Sequence, residues 1–226
     1  MLSISIDGSC KRNGQPNCVS AGGVFMIAVP DNTDPAAATV AAYHTISAIA
    51  KESTNQRGEL LALLLALEYI ADAQTRDVQI ITDSEYIYNA INNEWYANWQ
   101  RKGWLTAAGE PVKNRDMWEK AAELLSMIHA TETELVVYHI KGHCIPFGKV
   151  TAEALLHKDP SGKALYYSVL EKYDSIQHLK QDTLDQARAL FLRNNKFELS
   201  DELLRLFVAR NIVADIVATN ALSGIA

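Results

Sequence analysis

Apolar and polar residues alternate from Leu2 onward: Leu2, Ile4 and Ile6 are separated by Ser3 and Ser5. This period of two predicts a strand with one buried face, ending on Asp7 and followed by a turn-permitting Gly8. A polar stretch from Cys10 to Ser20, with Asn13, Gly14 and Pro16, predicts a turn. A second strand is expected over Ala21 to Val29, where Gly22-Gly23 leaves room for a close approach. A loop over Asp31 to Pro35 and a third strand over Thr39 to Ile49 complete an antiparallel meander.

The period then changes. Ser53 and Gln56 are spaced as a capping box, and Arg57 to Ala73 is apolar nearly all round (Leu60, Leu61, Leu63, Leu64, Leu65, Leu67, Ile70). A helix without a polar face is expected between a sheet and another helix, with Glu59 in its first turn. Val78 to Asp83 reads as a fourth strand, Ser84 to Asn92 and Asn114 to Ala130 as helices, and Glu134 to Lys141 as a fifth strand leading to Gly142-His143. Beyond it, Ala164 to Leu179 and Leu184 to Leu192 carry helical periodicity, and Ser200 precedes a long helix over Asp201 to Ala221.

Composition narrows the class. The chain has 226 residues, 48% of them hydrophobic, enough for one large domain with a real core. The longest apolar run, Leu60 to Leu67, is too short to span a membrane, and no basic-then-apolar leader precedes the first strand. Cys10, Cys18 and Cys144 form an odd, scattered set without a CxxC pair, which argues against a disulfide framework or a structural zinc site and suits a reducing cytoplasm. A net charge of −6 argues against bulk electrostatic binding of nucleic acid but allows a local basic patch.

The chemistry gathers at strand ends. Two strands each deliver an aspartate, Asp7 and Asp83, where α/β sheets collect ligands, and such acids suit a hard cation. Trp95, Trp99, Arg101, Lys102 and Trp104 form a basic-aromatic segment. It serves either as an aromatic face on the core or as a platform for a phosphate backbone, and Lys113 and Arg115 favour the latter.

Six motifs in order resemble type 1 ribonuclease H: Asp7-Gly8-Ser9; Thr54-Asn55-Gln56-Arg57-Gly58-Glu59-Leu60; Thr82-Asp83-Ser84-Glu85-Tyr86; Trp95, Trp99 and Gly103-Trp104; Pro111-Val112-Lys113-Asn114 with Asp116 and Trp118; and Lys141-Gly142-His143. The resemblance covers about residues 1–143 and resumes at Arg210 to Asp215. It implies an α/β ribonuclease H-like fold: a five-stranded mixed sheet flanked by helices, divided as core 1–144, helical insertion 145–207 and completing helix 208–226. It further implies endonucleolytic cleavage of the RNA strand of an RNA–DNA hybrid, giving 3′-hydroxyl and 5′-phosphate ends. Asp7, Glu59, Asp83 and Asp215 would hold two Mg²⁺ ions, with Mn²⁺ as a substitute. His143 would assist proton movement or product departure, and Asn13, Asn55 and Gln56 would touch the hybrid beside the scissile phosphate. Trp95, Trp99, Arg101, Lys102 and Trp104 would bind it further along.

Two departures stand out. Gln100 occupies a position where the family usually has a cation, and 71 residues separate His143 from Asp215 where compact members have a short loop. Residues 145–207 carry 9 Lys+Arg and 9 Asp+Glu, so the insertion is neutral; it either pads the fold or serves as a lid or partner surface. The alternatives are a catalytically inactive hybrid-binding domain, against which all four acids argue, and a 3′–5′ exonuclease, which would carry Asp-x-Glu on the first strand where Gly8 and Ser9 stand. A monomer acting without a membrane is expected.

Overall fold

The computed structural model describes residues 1–15, 17–28, 41–51, 53–73, 75–223 and 225. The expected loop over Asp31 to Pro35 and the start of the third strand lie outside them.

Five strands form one mixed sheet: β1 (Leu2–Lys11), β2 (Val19–Ala28), β3 (Ala42–Lys51), β4 (Asp77–Thr82) and β5 (Glu134–His139). The order is β3-β2-β1-β4-β5. β1, β2 and β3 pair antiparallel, as the meander requires, whereas β1–β4 and β4–β5 are parallel. Because β1 and β4 are parallel neighbours over Leu2–Ser5 and Val78–Ile81, Asp7 and Asp83 both lie just past the paired stretch, on the same side.

The strands β1, β2 and β4 are buried on both faces, which differs from the one-sided strand expected for β1. Ile4, Ile6, Val24 and Met26 join a cluster with α1 (Asn55–Ala73), α2 (Glu85–Asn92) and α4 (Arg115–Ala130). Phe25, Ile27 and Ile81 join a second cluster with α5 (Lys149–Lys158), α6 (Lys163–Ile176), α7 (Gln181–Asn195) and α8 (Asp201–Ala221). The serines of β1 are the reason the strand looked one-sided. Ser3 and Ser5 are buried, and Ser3 Oγ accepts a 2.7 Å hydrogen bond from Arg210 of α8. Asp7 continues this polar, covered row.

The helical segments between β5 and α8 therefore share a core with α8 and the sheet. α8 starts at Ser200, whose hydroxyl accepts from the Leu203 amide, as expected for a long C-terminal helix. α5 had no periodic signal. At the start of α1 the cap differs from the expected box: Thr54 Oγ1 accepts from the Arg57 amide, while the Ser53 hydroxyl bonds Ser20 on β2 at 2.6 Å. A bidentate Arg57–Asp116 pair, at 2.9 and 2.6 Å, fixes the start of α1 to that of α4.

Adjacent glycines on β2 let both helical layers approach. A Cβ on Gly22 would collide with the Ala62 backbone of α1, and one on Gly23 with the Ala214 and Ala218 backbone of α8. Successive strand residues point to opposite faces, so the pair serves one helix each.

One expectation about the cysteines is corrected. Cys10 and Cys18 are joined in a disulfide, Cα atoms 6.9 Å apart, and Cys144 alone is free. The turn between β1 and β2 brings them together, so no short-range spacing motif announces the pair.

Candidate active site

The site lies where the middle of β1 and the end of β4 meet the start of α1 and the middle of α8. Asp7 is buried in the middle of β1, just past the pairing with β4: the strand does not end on Asp7 as expected but runs on through Gly8 to Lys11, held by the pairing with β2. Its Oδ1 accepts a 2.6 Å bond from the Gly8 amide. Glu59 is delivered by the second turn of α1, which is possible because Gly8 has no side chain: a Cβ there would strike the Glu59 backbone. Asp83 follows β4 directly. Carboxylate oxygens of Asp7, Glu59 and Asp83 all lie within 4.8 Å of one another.

Three acids this close and this sheltered resist ionisation together. Burial first, then the charges of Asp83, Glu59 and Asp215, holds the Asp7 carboxyl well above the usual range. Burial, Asp83 and Asp215 do the same to Glu59. Asp83 is also raised, chiefly by burial, with His143 opposing the shift. Among the described residues, Glu59 Oε2 is buried without a hydrogen-bond partner, and Oε1 receives a long 3.5 Å contact from Asn55 Nδ2. An unpartnered carboxylate oxygen among other carboxylates suits a divalent cation with oxygen ligands.

Asp215 projects from α8 into the same cavity, of about 870 Å³, and His143 Nδ1 lies 3.9 Å from its Oδ2. The His143 side chain is largely exposed, on a loop pinned by the 2.9 Å bond from Cys144 Sγ to the Lys141 carbonyl. Burial pushes the Cys144 thiol up to about 12, so it stays a neutral anchor. Asn55 lines the cavity, and Asn13 Oδ1 accepts from its amide at 3.3 Å. Gln56 is exposed at the start of α1 and does not line it.

The basic-aromatic segment lies apart from the acids, on α3 (Trp95–Arg101) and the turn after it, and none of its residues lines the cavity. Trp104 is buried in the core. Trp99 is half-buried, packed edge-on against Trp118 at 5.5 Å and tilted against Trp95 at 6.2 Å. Trp95, Arg101 and Lys102 are exposed, and Arg101 donates to Asn98 Oδ1 at 2.6 Å. The two readings of the segment thus divide by residue: Trp104 and Trp99 anchor it, and Trp95, Arg101 and Lys102 face outward.

The cavity also holds residues that sequence reasoning passed over: Lys149 and Glu153 on α5, and Lys180 and Thr183 around the start of α7. Glu153 is the notable one, being a further carboxylate. It does not number among the charges that shift Asp7, Glu59 or Asp83, whereas Asp215 acts on all three.

A family model described as RNase H matches residues 2–154. The chain belongs to the ribonuclease H family. Ribonuclease H of Francisella philomiragia is 33% identical over 152 residues, spanning 67% of this chain and 86% of its own. Ribonuclease H of Clostridium botulinum is 32% identical over 140 residues, 62% of this chain and 82% of its own. Among solved structures, LC9-RNase H1, a type 1 RNase H with the type 2 active-site motif, superimposes with a TM-score of 0.50 at 23% identity, covering 63% of each chain. The chain is thus a hydrolase of the ribonuclease H type, whose general reaction is cleavage of RNA in RNA–DNA hybrids, a metal-dependent one. The match ends at residue 154, short of α8, so Asp215 as fourth carboxylate rests on geometry.

Proposed function

We propose that this chain is an endonuclease that cuts the RNA strand of RNA–DNA hybrids with two Mg²⁺ ions, leaving 3′-hydroxyl and 5′-phosphate ends. The observation that carries the reading is the convergence of Asp7, Glu59 and Asp83 within 4.8 Å, with an unpartnered Glu59 oxygen among them. Asp7, Glu59, Asp83 and Asp215 would hold the ions, and Mn²⁺ would substitute. Bound there, the ions would polarise the attacking water and stabilise the leaving 3′ oxygen.

The chain's own groups do the rest. Asn55 reaches towards Glu59 and helps orient it. Asn55, which lines the cavity, and Asn13, exposed and bonded to its amide, would read 2′-hydroxyls, the feature that separates RNA from DNA. His143, exposed and next to Asp215, can take or give a proton and move aside as product leaves. Arg101 and Lys102 supply phosphate contacts outside the cavity.

The test is cleavage of an end-labelled RNA–DNA hybrid with and without Mg²⁺, beside single-stranded RNA and duplex DNA. Internal cuts in the hybrid's RNA strand alone, with 3′ ends that a polymerase extends, support the reading. Absence of metal-dependent cutting by the unaltered protein would overturn it.

A further inference from the structure

The acidic floor of the cavity raises an electrostatic question. A phosphodiester must approach Asp7, Glu59, Asp83 and Asp215 in a protein of net charge −6. Apart from His143, the cationic side chains lining that cavity are Lys149 and Lys180. Both come from the long segment between β5 and α8: Lys149 opens α5, and Lys180 closes the short turn of helix before α7. Distant in sequence, they meet at one cavity.

Their neighbours share a second feature. Val150 is 82% exposed and Leu179 is 70% exposed, more than any other large apolar side chain among the described residues. Next in sequence to each lysine stands a bare aliphatic group outside the cavity lining, Val150 after Lys149 and Leu179 before Lys180. Glu153, one turn along α5, is the acid on this wall.

We propose that this wall is a second contact surface for the hybrid, with Lys149 and Lys180 binding backbone phosphates away from the scissile one. Val150 and Leu179 cover sugar surface between them. A nucleic-acid strand offers that combination at regular intervals: anionic oxygens flanking apolar ribose carbons. The segment thereby supplies the cations its neutral overall charge conceals, beside the acids instead of on α3. The proposal rests on the hybrid-cleavage reading above and extends it to the helices between β5 and α8.

The experiment measures binding of a fluorescein-labelled RNA–DNA hybrid across a salt series, in an Asp83→Asn background that separates binding from cleavage. Lys149→Ala/Lys180→Ala is expected to raise Kd several-fold and to flatten the slope of log K against log salt by about 2, one per phosphate contact. Val150→Ser/Leu179→Ser is expected to raise Kd with the slope unchanged, and Glu153→Gln to lower it. In the cleaving protein the lysine pair should raise KM far more than it lowers kcat. Unchanged Kd and slope in the lysine variant, or tighter binding, would overturn the proposal while leaving cleavage by the unaltered protein intact. Failure of the cleavage reading would instead appear as an uncut hybrid.

Discussion

Asn194 near the end of α7 bonds His139 at the end of β5, Nδ2 to Nδ1, at 2.5 Å. An amide nitrogen only donates, so Nδ1 accepts and the proton of the neutral ring sits on Nε2. That nitrogen lies 3.1 Å from the Asp83 backbone carbonyl, to which it donates. Burial lowers the imidazole's proton affinity and keeps the ring neutral, as this chain of bonds needs. Asn195 closes the same joint, donating to the His139 carbonyl at 3.1 Å and to that of Phe191 at 3.0 Å. The end of α7 thus steadies the backbone of a carboxylate in the candidate metal site.

Asn194→Ala should therefore act on metal use. Supporting groups around a metal ligand are worth about 10–100-fold in affinity or activity, and this one works through a backbone, so about tenfold or less is expected. A thermal-shift titration with Mg²⁺ should show weaker binding, and the Mg²⁺ needed for half-maximal cleavage should rise at unchanged KM for the hybrid. An unaltered titration would reduce the Asn194–His139 bond to packing.

Repulsion among the acids makes a prediction about stability. The folded-state carboxyls of Asp7, Glu59 and Asp83 lie above their ordinary values. Between the ordinary and the raised values the folded chain binds more protons than the unfolded one, so stability falls as pH rises. Metal-free protein should melt higher near pH 5 than near pH 8, and saturating Mg²⁺ should shrink the difference. Asp7→Asn should abolish cleavage yet raise Tm in chelator, by roughly 2–4 °C per kcal/mol of repulsion removed. A lower Tm would count against crowded charges.

The segment around α3 divides by exposure, and its variants should divide likewise. Arg101→Ala/Lys102→Ala should weaken hybrid binding and flatten its salt dependence with little change in Tm. Trp104→Ala should do the reverse, costing about 3–5 kcal/mol of stability as a buried aromatic. Equal salt slopes in Arg101→Ala/Lys102→Ala and the unaltered protein would confine the segment to a structural part.

What the sequence made readable was local. Asp7 and Asp83 stood out because strand-like apolar runs lead into them, and Gly22-Gly23 because two bare positions in a strand invite neighbours. The serines of β1 misled, because a polar row under a helix looks like a polar row under water; only Arg210, 207 residues away, reveals the cover. Long range hid the rest. His139 and Asn194 are 55 residues apart, and Lys149 and Lys180 reach one cavity through the packing of α5 to α8. Cys10 and Cys18 needed the hairpin, and Trp104 could not be told from surface aromatics by composition.

Gly23 offers a test of how closely α8 must approach. A Cβ there would meet the Ala214 carbonyl and the Ala218 amide, backbone atoms that cannot rotate away. Gly23→Ala should push α8 outward, lowering Tm and cleavage together, whereas Gly14→Ala meets no atom within 4 Å and strains only a turn. Normal cleavage by Gly23→Ala would mean that Asp215 works from farther out than its place in the cavity suggests.

Which acid completes the set is the sharpest remaining question, since α5 and α8 each bring a carboxylate to the cavity. Asp215 is half-buried, close to His143, and its charge reaches Asp7, Glu59 and Asp83. Glu153 is exposed and exerts no comparable effect on them. Four of the other aspartates after β5 are engaged in other ways: Asp174 pairs with Arg205 at 2.6 Å, Asp185 and Asp201 with Arg188 at 2.6 Å, and Asp159 accepts from the Ala164 amide at 2.9 Å. Asp182 lies exposed in the first turn of α7. Asp215→Asn should therefore reduce cleavage by orders of magnitude at unchanged hybrid affinity, while Glu153→Gln, Asp182→Asn and Asp185→Asn should keep kcat within a few-fold. Side-by-side kcat in Mg²⁺ decides it: if Glu153→Gln falls as Asp7→Asn does and Asp215→Asn cuts normally, the fourth carboxylate belongs to α5, and α8 serves only to cover the sheet.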